Sequence, residues 1–223
     1  MNQQHPMDME QYQKKEQQKK LENYKGLNQY IQKQQILFTG SSLMEQFPIS
    51  ELSQSLGLGK IIYNRGVGGF TTDDFLLHMD PLLFDLEPSK VFLNIGTNDM
   101  KPLPNGSWME HLLSNYALIL DECRMRLPDT AVYCMAYYPV NASVPSAQQP
   151  HMVNMLKVRT NGAIGAVNER IAHLADSRGY TYINVNDGLT DQDGNLKAEF
   201  TVDGIHMYSH AYGIIYRNLL PWL

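Results

Sequence analysis

Basic residues are scarce in this chain. Its 223 residues include 18 Lys and Arg against 23 Asp and Glu, a net charge of -5. A partner built on a phosphate backbone needs a basic face, so nucleic acid is not an expected partner. The deficit is uneven: residues 1–35 hold six Lys and four acids, a net of +2, and the remainder 12 basic and 19 acidic residues, a net of -7. Cysteine is as sparse, with Cys123 and Cys134 alone. They have no CxxC spacing and no His cluster nearby, so two reduced, buried thiols are expected, although spacing alone leaves a disulfide open. No stretch approaches the 18 or so apolar residues of a membrane span. The opening MNQQHPMDMEQYQKKEQQKK has no apolar h-region and does not read as a signal peptide, so the expected compartment is the cytoplasm.

What is present is core material. Hydrophobic residues make up 43% of the chain, enough for one α/β domain. Residues 9–34 are rich in Gln, Lys and Glu, with Leu21, Tyr24, Leu27 and Ile31 at helical spacing. This predicts a helical extension over 1–34, disordered in residues 1–8, whose apolar stripe lies on the body. A solvated helix, or a coiled coil in a homo-oligomer, is the competing arrangement. From residue 35 short apolar strands alternate with helices. The strand runs are 36–39, 61–63, 91–95, 131–136 and 180–185, and helices are expected near 107–127, 151–178 and 207–219. Near-continuous apolar strands suit a parallel sheet covered on both faces, and the alternation predicts a doubly wound α/β fold over 35–223. Pro139–Pro150 reads as a loop. In such folds ligands sit beyond the C-terminal strand ends.

Four segments there could carry chemistry. In Phe38-Thr39-Gly40-Ser41-Ser42 a strand meets a glycine and then a serine that opens a helix, where free N–H groups and the helix dipole favour a developing oxyanion. The Asn64–Thr72 segment places three glycines in four positions, which allows close backbone approach. Gly96-Thr97-Asn98-Asp99 follows the most apolar strand and could aim an amide at an oxyanion. In Asp203-Gly204-Ile205-His206 a carboxylate stands three residues from an imidazole and can accept its Nδ1–H. Taken singly, each is as well explained by an ordinary helix cap or turn.

Together, in order and spacing, they resemble the four blocks of the SGNH (GDSL-like) hydrolases, over residues 36–223. GVGGFTTDD from Gly66 and FLNIGTND from Phe92 are most similar to the catalytic subunits of intracellular platelet-activating-factor acetylhydrolase and their bacterial relatives. The resemblance implies a three-layer α/β/α, flavodoxin-like fold with a five-stranded parallel sheet. It implies a serine esterase or acylhydrolase with Ser42 as nucleophile and Asp203 and His206 as acid–base partners. The oxyanion hole would be the N–H groups of Ser42 and Gly69 and the amide of Asn98. No cofactor or metal is implied, and the expected partner is a small-molecule ester, with a short acyl group on a small or carbohydrate alcohol. One departure is visible: the family's Gly-Asp-Ser is Gly40-Ser41-Ser42 here, where Ser41 could make similar local hydrogen bonds without the charge. The loops at 100–106 and 139–150, with Phe70, Tyr137 and Tyr138, are expected to wall the acyl and alcohol pockets.

Competing classes remain. A lysophospholipase or thioesterase of the same fold would share all these residues, and a non-catalytic binding module would keep the fold. A degenerate module usually loses a catalytic residue, and none is missing. A nucleotide binder needs a phosphate-cradling loop, which neither glycine cluster fits. His206 and His210 lie four apart, but HMYSH lacks the Glu of a zinc-protease HExxH. His210 is therefore expected at the surface or in packing. His78, His111, His151 and His173 have no partner motif.

Overall fold

The computed structural model describes residues 9–103 and 106–223, so the expected disorder of residues 1–8 lies outside the described residues. Five strands, β1 (Ile36–Gly40), β2 (Ile62–Gly66), β3 (Lys90–Asn94), β4 (Ala131–Met135) and β5 (Thr181–Ile183), form one sheet in the order β2-β1-β3-β4-β5. Every pairing is parallel. The helices are α1 (Met9–Leu27), α2 (Ser42–Glu45), α3 (Ile49–Ser55), α4 (Thr72–Leu77), α5 (Met79–Leu82), α6 (Trp108–Arg126), α7 (Pro150–Leu156), α8 (Asn161–Asp176) and α9 (Ser209–Leu219). This is the doubly wound fold expected from the alternation of elements, in the three α/β/α layers that the family resemblance implies.

Alternate residues of each strand feed two cores. Leu37, Val91 and Leu93 face α4, α6 and α8, whereas Phe38 and Phe92 face the layer with α2, α3 and α9. Phe38, Phe92 and Tyr133 stack across β1, β3 and β4 at centroid separations of 4.5 and 4.9 Å. Burial on both faces is why the strands read as apolar runs rather than as alternation. Cys123 and Cys134 are free and buried, as expected. Among the described residues no helix is long and apolar enough to cross a membrane.

The boundaries differ from expectation where polar residues carry structure. β2 runs on through Asn64 and Arg65, because its pairing with β1 continues to Gly40 opposite Gly66. The single helix expected over 151–178 is two. It breaks at 157–160, and Thr160, in extended conformation, caps α8 by accepting from the Ala163 N–H. α1 stops at Leu27, not near 34, where Asn28 turns inward to donate to the Pro81 carbonyl and accept from the Arg65 Nε.

α1 packs on the body, although less by its apolar stripe than expected. Leu21 is buried, Tyr24 and Ile31 are half-buried, and Leu27 is exposed. Polar ties do the rest: the Tyr24 hydroxyl donates to the Gly66 carbonyl at 2.7 Å, Gln17 donates to the Gly68 carbonyl at 2.8 Å, and Lys20 pairs with Glu45.

Candidate active site

The reversal in strand order lies between β1 and β3, and the four segments converge above it. Gly40 ends β1 with φ +149°, and a Cβ there would lie 1.9 Å from the Asn94 carbonyl oxygen, so only glycine permits the turn. The chain then enters α2 with Ser42 as its first residue. Ser41, expected to bond locally, is fully buried with its hydroxyl unpaired among the described residues. It precedes the helix without capping it, because the turn aims its side chain into the core.

The Ser42 Oγ lies 3.0 Å from the His206 Nε2, and the His206 Nδ1 lies 2.7 Å from the Asp203 Oδ2. The other Asp203 oxygen accepts the N–H groups of His206 at 2.8 Å and Ile205 at 3.0 Å. A carboxylate only accepts, so the Nδ1 carries the proton and the Nε2 accepts from the Ser42 hydroxyl. Burial pushes the Asp203 pKa up, but the His206 ring and the two backbone N–H groups outweigh it and hold the carboxyl down at about 2. The loop itself is pinned by Thr201, whose hydroxyl donates to the His206 carbonyl and accepts from the Gly204 N–H.

The second and third segments meet beside this chain of bonds. A Cβ on Gly68 would sit 3.8 Å from the Ser42 Cβ, and Gly69 has φ +78°, in the region that favours glycine. Among the described residues neither the Ser42 nor the Gly69 N–H has a protein acceptor. Asn98, on the turn after β3, donates from its Nδ2 to the Phe70 carbonyl at 3.0 Å. Asp99 is buried and accepts the Thr72 N–H at 3.0 Å and its hydroxyl, binding the third segment to the start of α4. Burial raises its pKa against the pull of these two bonds.

Several expectations are corrected. Phe70, Tyr137 and Tyr138 are at most 2% exposed and do not wall a pocket. The Tyr137 hydroxyl donates to the Ile95 carbonyl inside the core. Beside Ser42 lies instead a cleft of about 340 Å³ lined by Gln13, Gln17 and Lys20 of α1 and by Glu45 and Gly68 of the body. Glu45, one turn after Ser42, accepts the Gly68 N–H and pairs with Lys20. Nothing in the sequence separates these α1 residues from a solvated Gln/Lys face. Arg159, also unmarked in the sequence, is buried, and its Nη2 donates to the Thr97 carbonyl and, at 3.1 Å, to the Asn98 Oδ1. His210 is exposed and donates to the Glu199 carbonyl, as expected of a surface residue. His111 does have partners, the Asp73 carboxylate at 2.8 Å and Asn115. Asp73, Asp99 and His111 bring possible metal ligands within 4.8 Å of one another, but Thr72 and Asn115 already engage the carboxylates.

Residues 46–214 match the GDSL-like lipase/acylhydrolase family. A structure described as a candidate platelet activating factor from Streptococcus pneumoniae is 31% identical, covering 96% of this chain and 95% of its own, with a TM-score of 0.84. A GDSL-like lipase from Bacteroides thetaiotaomicron shares the fold at 19% identity and TM-score 0.72, covering 91% of this chain and 96% of its own. An acetylxylan esterase from Geobacillus stearothermophilus does so at 14% and 0.61, covering 86% and 94%. No curated protein matches. The chain belongs to the GDSL-like lipase/acylhydrolase family, and its fold is that of the SGNH hydrolases. It is a carboxylic ester hydrolase.

Proposed function

We propose that this protein is a serine esterase that removes a short acyl group, acetyl or similar, from a small or carbohydrate alcohol. The observation that carries the reading is the unbroken chain from the Ser42 Oγ to the His206 Nε2 at 3.0 Å and from the His206 Nδ1 to Asp203 at 2.7 Å. The Ser42 Oγ attacks the ester carbonyl carbon while its proton passes to the His206 Nε2. The oxyanion is met by the N–H groups of Ser42 and Gly69 and by the Asn98 amide. Collapse breaks the bond to the alcohol, whose oxygen takes the proton back from the imidazolium. Water, activated by the same nitrogen, then releases the acid and restores the Ser42 hydroxyl. Asp203 orients the ring and stabilises its cationic form.

The alcohol side follows from the cleft beside Ser42. Its lining of two amides, the Glu16 carboxylate, a Lys–Glu pair and the single apolar side chain of Val67 suits a hydroxyl-bearing alcohol, since polar groups need partners once water is displaced. The test is a hydrolysis screen of purified protein across p-nitrophenyl esters of rising acyl length and acetylated mono- and oligosaccharides. Turnover that peaks at long chains, with none on acetyl esters, rejects the reading in favour of a lysophospholipase or thioesterase.

A further inference from the structure

The steps above leave the buried charge of Arg159 without a task. Arg159 stands in the break between α7 and α8, and only 4% of it is exposed. Its hydrogen-bond acceptors among the described residues are the Thr97 carbonyl and the Asn98 Oδ1, and its Nε is buried with none. Burying a cation against neutral oxygens costs several kcal/mol, and an apolar side chain of similar size is often the more stable choice. Packing does not account for a guanidinium here.

We infer that Arg159 is a positioning residue for the oxyanion site, locking the Asn98 amide in one orientation and strengthening its Nδ2–H as a donor. The inference rests on the reading of Asn98 as an oxyanion donor. A guanidinium only donates and a backbone carbonyl only accepts. With Arg159 at 3.1 Å on the Oδ1 and the Phe70 carbonyl at 3.0 Å on the Nδ2, a flipped amide would meet repulsion at both ends. One Nδ2–H is taken by Phe70, and the other is left for the substrate oxygen. Charge-assisted hydrogen bonds are roughly twice as strong as neutral ones. A cation on the Oδ1 draws electron density from the amide nitrogen, so the remaining N–H is polarised along the chain of bonds. Burial lowers the Arg159 pKa to about 10, with Tyr137, Asp99 and Asp203 pulling the other way, so the group is cationic at neutral pH. The benefit grows as charge develops on the substrate oxygen and should fall on kcat rather than KM.

The test is a double-mutant cycle on p-nitrophenyl acetate, with melting temperature recorded for each protein. Arg159→Met should lower kcat by about 10–100-fold, the range seen when outer partners of metal ligands are removed, while KM moves by less than about twofold. In an Asn98→Ala background the same change should cost less than about threefold, because its target has gone. Arg159→Lys keeps the charge but loses the planar fork and should fall between. An equal loss in both backgrounds, or a folded Arg159→Met with undiminished kcat, overturns the inference. Should the Met variant fail to fold, a Lys variant with parental kcat overturns it instead. An Asn98→Ala enzyme with full kcat removes the oxyanion role of Asn98, a failure the single variant shows by itself.

Discussion

Replacing Asp203 with Asn exchanges a single heavy atom of the site. The Asp203 Oδ1 accepts two backbone N–H groups, from His206 and Ile205. An Asn would keep its oxygen on those donors, and its NH2 group would then face the His206 Nδ1. Two donors cannot share that contact, so the imidazole moves its proton to the Nε2. That nitrogen lies 3.0 Å from the Ser42 Oγ and, once protonated, cannot take the hydroxyl proton. The expected loss in kcat at pH 7 is up to about 10⁴, as for the corresponding change in serine proteases. Stability changes too. Against the opposing push of burial, the bonds to His206 and Ile205 bring the Asp203 pKa from its ordinary 3.8 to about 2. At 25% side-chain exposure, this corresponds to on the order of 2 kcal/mol. A depressed carboxyl pKa gives stability that is present above pH 3.8 and is lost as pH falls through about 2. Asn cannot titrate, so the gap in melting temperature between parent and variant should be open at pH 7 and close towards pH 2. Steady-state turnover of p-nitrophenyl acetate and thermal melting from pH 7 to 2 measure both effects. A folded variant with near-parental kcat would mean that another group orients His206, and the argument would fail.

An organophosphonate ester should label Ser42, and Ser42→Ala should cost on the order of 10⁶ in kcat if the subtilisin case transfers; peptide mapping that places the adduct elsewhere rejects the nucleophile. Deleting residues 1–34 removes the buried Leu21, worth about 1.5–3 kcal/mol, and hydrogen bonds to the glycine segment worth about 1 kcal/mol each. Melting temperature and ester turnover should both fall, and an unchanged 35–223 protein would show that α1 is a passive appendage. His210→Ala should leave kcat within about twofold, because a surface side chain bonded to a carbonyl outside the site makes no contact with the reacting atoms. Metal-restored activity after chelation would instead revive a metal role for His206 and His210.

Local order was legible in the sequence. The apolar runs at 36–39, 91–95 and 131–136 became strands within a residue of their expected ends, because a strand buried on both faces writes its burial into consecutive residues. The Asp203–His206 pair is a contact over three positions, and the Gly40 turn needs a residue without a Cβ. Short-range constraints of this kind appear as residue types at fixed spacing. Contacts over long sequence separation were decided only by the folded chain. Ser42 and His206 are 164 positions apart, and no periodicity joins them; the order of strands in the sheet does. Arg159 looked like one more residue of a long helix until Thr160 broke it and turned the guanidinium towards Asn98. Tyr137 and Tyr138 follow a strand end as pocket residues would, yet both rings point into the core. Gln13, Gln17 and Lys20 belong to a stretch whose composition is that of a solvated surface, and they line the cleft beside Ser42 only because α1 folds back over the glycine segment. Direction and docking are set by the sum of many weak contacts across the whole fold, and no local spacing records that sum.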